Sequence, residues 1–466
     1  MTAARLADRL HRNARRYGDR PAVRVVDQGQ CLDTSWARLA AMADAACGRA
    51  DEIAPERPVL LALDNSPTAL AALLGLASAG VGLAVLEADS RYLSDSRSVF
   101  HRIGADTAVL PGEALDVVSG YRVLTAGELV APAGRRHLAA EPADPEVLQA
   151  TSGSSGEPRL ARQTLGNLMR GADLYRRVYS VTEDDGILLT VPAAHSFGMV
   201  AGLFTAVLTG ATLWTFPRFS TQSVRRALDG GARVVLGTPL VHALLSRTRP
   251  PERAAVRVAL SSGGPLEPEA AERAAEWLGA PVLQAYGSTE TGLIACQRPG
   301  TGDCPPGCVG DAAPGVRLRL TGEGELAVRT DTMFLGYHGE RSAVLGPDGF
   351  YRTGDTAWLD GDAHLHLSGR KGTFINVGGR KVNPQRVQRM LSEYPHLVES
   401  DVYGVGTLGG EEVRAAVVLT RNGDVLSLLA HCRERLAGYE VPQQVHVLDR
   451  LPRTGMGKVD RGRLPR

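Results

Sequence analysis

The sequence has no excess of charge of either sign: 52 Lys and Arg stand against 51 Asp and Glu. That argues against a dedicated nucleic-acid binder and against a polybasic membrane anchor. Cysteine is scarce. Six in 466 residues, irregularly spaced, do not make a disulfide framework and fit a reducing, cytoplasmic setting. Repeats and low-complexity tracts are missing, apart from a general richness in Ala and Arg. The N-terminus, "MTAARLADRLHRNARRYGDRPAV", has no apolar core of signal-peptide type. It reads as an amphipathic helix with Leu6, Leu10 and Ala14 on one side. One uncharged run, residues 65–86, is near the length of a membrane span. Ser78, Ala79, Gly80 and Gly82 interrupt it, so a buried helix followed by a buried parallel strand is expected and a span is not.

What is present is alternation. "RPVLLAL" and "ARVVLGTP" read as buried strands, "QSVRRALDG" and "EPEAAERAAEWLG" as helices. The expected fold class is α/β: a large N-terminal domain with mainly parallel sheets. A Gly/Pro-rich loop at residues 298–315 leads into short alternating strands, "VRLRL" and "GELAVRT", typical of a small β-rich subdomain. Near Gly369 the character changes again, to about a hundred residues with their own strand–helix alternation, "EEVRAAVVLT" then "DVLSLLAHCRERLAG". The expected division is a domain of residues 1–369 and a smaller, mobile α+β domain of residues 370–466, with its hinge at Lys371.

Five stretches carry candidate chemistry. "TSGSSGEPR", residues 151–159, follows the strand-like "EVLQA". Backbone N–H groups in such a turn can form an anion-binding nest with hydroxyls as extra donors, although the run alone would equally suit a linker. It is not a Walker loop, because Gly-Lys-Ser/Thr is absent. In "QAYGSTETG", residues 284–292, Tyr286 offers a flat face for a base, Thr289 a hydroxyl for a phosphate, and Glu290 a hard oxygen ligand for Mg²⁺. An ordinary strand-to-loop turn would also read this way. In "YRTGDTAWLD", Asp355 could accept hydrogen bonds from ribose hydroxyls. "SGRKGTFINVGGRKVNP" lies at the proposed domain boundary, and "LPRTGMGKVDR" carries Lys458 on a flexible Gly-Met-Gly approach. A lone Lys near a terminus is ordinarily solvated and idle.

Together and in this order, the five resemble the adenylate-forming superfamily of acyl- and aryl-CoA ligases, amino-acid adenylation domains and luciferases. The resemblance runs from "GDRPAV" to "RTGMGKVDR" and includes "FLGY". It implies that Thr151, Ser152, Gly153, Ser154, Ser155 and Gly156 hold the β- and γ-phosphates of ATP. Tyr286 and Gly287 would lie on adenine with Ser262, Gly263 and Gly264 beside them; Thr289 would touch the α-phosphate; Asp355 and Arg370 would hold the ribose. Glu290 would bind Mg²⁺, and Lys458 would meet the substrate carboxylate and the α-phosphate. Attack of one anion on another requires positive charge at the reacting centre. ATP and Mg²⁺ are thus the expected cofactors, with coenzyme A as co-substrate or a carrier protein's phosphopantetheine acting in trans.

The chain departs from the pattern in two ways. The family's phosphate loop usually ends Pro-Lys, whereas here it ends Pro158-Arg159, which keeps the charge but not its point geometry. The chain is also short for the family, which suggests a trimmed N-terminal region and a small or unusual acid. The resemblance places His195 in "VPAAHSFGM" at the border of the acid pocket, although a packing role is an ordinary reading of such a residue. Phe197 stands where amino-acid-activating relatives carry an Asp, so an α-amino acid is not expected. Thr238, Ser261 and Ala285 complete an expected pocket that is mostly small or apolar, suited to an aryl or medium-sized apolar acid. Cys296, Cys304 and Cys308 lack a close fourth ligand, so a zinc site is not expected. Trp277 and Trp358 read as packing aromatics. Transfer to an amine, activation of nitrite, and a non-catalytic acyl-AMP-binding protein remain alternatives. Retention of Glu290, Asp355 and Lys458 weighs against the last.

Overall fold

The computed structural model describes residues 3–53, 57–90, 92–93, 98–112, 120–132, 144–151, 159–253, 255–300, 304, 307–322, 324–340, 344–370, 375–377, 380–407, 410–454 and 457–465. The uncharged run at residues 65–86 shows how the sequence builds the fold. Ser66 accepts from Ala69 N and Pro67 opens the helix Pro67–Ser78, the favoured chemistry for a helix start. Every residue from Ala69 to Ser78 is buried. The helix lies against Trp36–Gly48 so closely that a Cβ at Gly75 would stand 2.2 Å from Ala43 O. Gly80, at φ +81°, turns the chain into the buried strand Leu83–Glu87. No helix among the described residues is long and apolar enough to cross a membrane.

Two sheets dominate the larger part. The first has six strands in the order Arg122–Thr125, Thr107–Leu110, Val59–Leu63, Leu83–Glu87, Glu146–Thr151 and Arg159–Thr164. All neighbours are parallel except the last pair. The second has nine strands. Its centre runs Val282–Ser288, Val258–Ser261, Val234–Gly237, Gly186–Leu189, Thr212–Thr215 and Pro21–Asp27, all parallel. Both faces of these strands are covered: Leu61 and Leu63 join one apolar cluster, Leu60 and Ala62 another. Such strands read as continuous apolar runs rather than alternating ones. The amphipathic helix expected at the N-terminus is Ala3–Tyr17, with Leu6 and Leu10 buried.

A four-stranded antiparallel sheet follows, Arg317–Leu320, Glu325–Arg329, Tyr351–Leu359 and Leu365–Arg370. The last part has its own core, drawn from residues 375–445 and including Val387, Leu391, Val402, Val413 and Leu428. It packs the helices Pro384–Ser392 and Val425–Arg435 on the strands Leu397–Thr407, Gly410–Leu419 and Gln444–Val447. The fold class expected from the sequence is the one observed. Lys371, Gly378 and Gly379 lie outside the described residues.

Two aromatic and cysteine details differ from expectation. Trp277 is buried as expected, but Trp358 is half exposed and stacks on His366 with ring centroids 4.0 Å apart. It sits on the outer face of the small sheet, where the period-two pattern puts every second residue in solvent. Cys304 and Cys308 form one disulfide, while Cys296 is free and buried. No group of three or more metal-ligating side chains is found among the described residues.

Candidate active site

In open parallel sheets ligands sit beyond the carboxyl ends of the strands. The predicted residues cluster there. His195 follows Gly186–Leu189, Thr238 follows Val234–Gly237, Ser262, Gly263 and Gly264 follow Val258–Ser261, and Tyr286 and Gly287 close Val282–Ser288. These four strands are neighbours in the second sheet. From the first sheet, Thr151 ends its strand and pairs with Arg159, so the two residues form the base of the loop 152–158. Ser152, Gly153, Ser154, Ser155 and Gly156 themselves lie outside the described residues.

Charge gathers at one edge. The Tyr286 hydroxyl donates to Asp355 Oδ2 at 2.5 Å, and Arg370 Nε lies 3.4 Å from Asp355 Oδ1. The small sheet enforces this meeting, since Asp355 and Arg370 are direct cross-strand partners. Burial pushes the Asp355 carboxyl above its ordinary range, against the pull of Tyr286 and Arg370. Lys458 arrives from the C-terminal part. The residue as a whole is exposed, but desolvation of its ammonium, then Arg370, pushes that group below the ordinary range, while Asp355 and Glu290 oppose the shift. The ammonium therefore lies within electrostatic reach of all three. Its loop is pressed against the large domain: a Cβ at Gly457 would stand 2.8 Å from Leu240 Cδ2, in the helix Pro239–Leu245.

Glu290 is held from several directions. Gln163 Nε2 donates to Thr289 O at 2.7 Å, Phe334 N to Glu290 O at 2.8 Å, and Thr332 Oγ1 to Thr291 O at 2.6 Å. Three consecutive carbonyls are thus tied to two separate segments, the strand that carries Gln163 and the stretch from Thr332 to Phe334. The turn also needs its glycines, because a Cβ at Gly287 would lie 2.3 Å from Gly292 O. The Glu290 side chain is buried, and Tyr337 Oη donates to its Oε1 at 2.7 Å. Tyr351 Oη stands 3.1 Å from Tyr337 Oη. Arg159, the residue that departs from the family pattern, lays its guanidinium 3.4 Å from the Tyr337 ring centroid and 3.6 Å from Glu340. A planar guanidinium stacks in this way and a lysine ammonium does not. Tyr337 lies in "FLGY", which was quoted for the resemblance but given no role of its own.

The predicted acid pocket is only partly drawn together. Phe197 meets Tyr175 with ring centroids 6.2 Å apart, and Ala285 is buried. Ser261 is buried, and its Oγ has no partner among the described residues. Thr238 caps the helix Pro239–Leu245 through Val241 N, which commits its hydroxyl to structure. His195 Nε2 lies 2.5 Å from Glu87 Oε1. Glu87 was missed by the sequence reading. The available signal was a carboxylate ending an otherwise apolar strand, "LAVLE", at the carboxyl edge of a parallel sheet. A separate cleft of about 330 Å³, lined by Arg5, Asp173, Arg177, Val316 and Asp331 among others, contains none of the predicted site residues.

Residues 10–338 match the family model described as AMP-binding enzyme, and residues 386–458 match that of the AMP-binding enzyme C-terminal domain. The indoleacetate–CoA ligase of Aromatoleum aromaticum is 32% identical over 340 residues, 68% of this chain and 66% of that protein. The 2-succinylbenzoate–CoA ligase of Bacillus subtilis is 30% identical over 334 residues, 68% of each. Such matches span about two thirds of the length of the curated relatives. Among solved structures, ATP-bound MatB from Rhodopseudomonas palustris superposes with a TM-score of 0.87 at 24% identity, over 99% of this chain and 98% of that one. The o-succinylbenzoate CoA synthetase of Bacillus subtilis, in complex with its acyl-adenylate, gives 0.82 at 25% identity, over 98% and 97%.

Proposed function

The chain belongs to the AMP-binding enzyme family, and from that premise we propose that it is an ATP-dependent acid–thiol ligase. In the first step a carboxylate oxygen attacks the α-phosphorus of ATP, forming an acyl-adenylate and releasing pyrophosphate. In the second a thiol displaces AMP. Coenzyme A is the favoured acceptor, and the phosphopantetheine of a carrier protein in trans is the other thiol the reading allows. The observation that carries the proposal is the placement of the Lys458 ammonium within electrostatic reach of Asp355, Glu290 and Arg370. A binding protein has no need to bring an ammonium there, whereas attack of one anion on another does.

The remaining roles follow the same reading. Tyr286 carries the adenine on its ring while its hydroxyl steadies Asp355, which with Arg370 receives the ribose. Thr151 and Arg159 frame the phosphate loop, and Thr289 faces the α-phosphate. Glu290 suits Mg²⁺, being a buried carboxylate with Oε2 not committed to any described hydrogen bond; bound there, the ion would neutralise phosphate charge. We place the domain boundary at residues 369–371 and the pivot at Lys371, and we read the enzyme as cytoplasmic. Phe197 beside Tyr175, with no carboxylate between Pro192 and Gly202, favours an aryl or apolar acid over an α-amino acid, whose buried ammonium would be unpaired. The test is a panel of acids assayed for pyrophosphate release with and without coenzyme A. Release with aryl or aliphatic acids and a thioester product are expected. Release that depends on an amine or on nitrite, with no thioester, would replace this reading.

A further inference from the structure

Three neighbouring strands of the first sheet each send one side chain to one of three consecutive residues. Asn65, just past Val59–Leu63, accepts from Ala193 N at 2.8 Å. Gln149, in Glu146–Thr151, donates to Ala194 O at 2.9 Å. Glu87, the last residue of Leu83–Glu87, meets His195 Nε2 at 2.5 Å. The strands are adjacent, in the order Val59–Leu63, Leu83–Glu87, Glu146–Thr151. The His195 loop itself leaves the carboxyl end of Gly186–Leu189 in the second sheet. His195 is therefore held at the meeting point of the carboxyl ends of both sheets. Backbone bonds at residues 193 and 194 would suffice to fix the loop. The bond at residue 195 engages the ring instead.

That bond fixes which ring nitrogen is available. With Nε2–H donated to the carboxylate, the neutral imidazole carries its lone pair on Nδ1, for which no partner is found among the described residues. The ring is partly open, 28% exposed, and its carboxylate is more enclosed, at 16%. Glu87 is the one charged side chain within 4 Å of the His195 ring among the described ion pairs. A base oriented by a third group is the general arrangement for activating a nucleophile. A free thiol, with a pKa of about 8.5, is mostly protonated at neutral pH, so the second step needs a proton acceptor.

We propose that Glu87 and His195 form the dyad that takes the proton from the attacking thiol; this rests on the ligase reading above. His195 Nδ1 accepts the S–H proton as the sulfur forms its bond to the acyl carbon. The carbon–oxygen bond to AMP breaks, and its electron pair leaves on the phosphate oxygen, which at neutral pH needs no proton. The imidazolium, steadied by Glu87, then loses its proton to solvent. His195 is the group that meets the nucleophile, and Glu87 is a positioning residue.

The experiment measures the two half-reactions separately across pH: pyrophosphate release for the first, and thioester formation from supplied acyl-adenylate and coenzyme A for the second. Wild type, His195→Ala, Glu87→Gln and Asn65→Ala are compared. His195→Ala should slow thioester formation by roughly a hundredfold or more, with the deficit shrinking above the thiol's own pKa. Glu87→Gln keeps the shape but loses the charge that steadies the imidazolium, so thioester formation should slow roughly tenfold or more while pyrophosphate release holds. Asn65→Ala loosens the loop alone and should not slow thioester formation selectively over pyrophosphate release. If His195→Ala and Glu87→Gln slow both half-reactions equally at every pH, the pair is a structural clamp and the dyad is overturned. If wild type forms adenylate but no thioester, the ligase reading fails instead, independently of the variants.

Discussion

The two sites that bring opposite charges together are built in opposite ways. The Glu290 turn is over-determined: three successive carbonyls are bonded to Gln163, to Phe334 and to Thr330 with Thr332, and the side chain is bonded to Tyr337. The Lys458 loop is held mainly by itself. Thr454 N donates to Lys458 O at 2.8 Å, Gly457 N to Thr454 O at 2.8 Å, and Arg453 Nη1 to Gly457 O at 2.5 Å. Arg453 is anchored in turn to Glu399, inside the same C-terminal part, at 2.9 Å. The carboxylate side of the site is thus preorganised by the large domain, while the described part of the Lys458 turn is bonded within the C-terminal part. That is the arrangement expected if the C-terminal part leaves between the two steps, since a hinge needs only a few element-terminal residues to absorb the change.

The largest effect should come from the Lys458 side. Lys458→Ala is expected to slow adenylation by roughly two to four orders of magnitude, as removal of a donor that stabilises transition-state charge does; pyrophosphate release measures it. Because desolvation of the ammonium and the neighbouring Arg370 lower the Lys458 pKa, the charged form is lost as pH rises through a value below that of a free lysine. Adenylation should accordingly fall on the alkaline side earlier than an exposed lysine would dictate. On the fixed side, Gly287→Ala places a methyl into the Gly292 carbonyl and should cost about 1–3 kcal/mol of stability, read as a lower midpoint in thermal or urea unfolding. Tyr337→Phe removes one bond to Glu290 while keeping the ring under Arg159. A loss of about 1.5–3 kcal/mol, the usual worth of a hydrogen bond to a charged group, should appear as weaker Mn²⁺ binding by electron paramagnetic resonance in the presence of a non-hydrolysable ATP analogue. The smallest change is expected from Arg159→Lys, which restores the commoner residue but trades a stacked guanidinium for a point charge. A few-fold change in adenylation should accompany an interaction worth about 0.5–1 kcal/mol. A large gain would mean that Arg159 hinders the phosphate site rather than supporting Tyr337.

Much of the fold was legible because its strands are buried on both faces and its helices carry explicit start and stop chemistry, as at Ser66, Pro67 and Gly80. The gathering of Tyr286, Asp355, Arg370, Glu290 and Lys458 was also foreseen, through the order and spelling of the motifs. The clamp on His195 was not. Asn65, Glu87 and Gln149 are separated from Ala193, Ala194 and His195 by 128, 108 and 45 residues, and only the strand order brings them together. Tyr337 escaped for a related reason: in sequence it is an apolar-motif aromatic, and its hydroxyl gains meaning only once the turn of Glu290 is placed above it. Thr238 was assigned to the pocket because its neighbours belong there, yet its hydroxyl caps a helix, a competing use that Ser and Thr before a Pro-initiated helix commonly have.

The most direct test of a travelling Lys458 against a fixed carboxylate site is the ratio of the two half-reaction rates in Lys458→Ala, confirmed folded by circular dichroism. Adenylation is measured by pyrophosphate release, and thioester formation from supplied acyl-adenylate with coenzyme A. The account predicts that the first rate collapses while the second stays within a few-fold of wild type. Equal collapse of both would contradict it, because the lysine would then be serving a single arrangement used throughout the reaction.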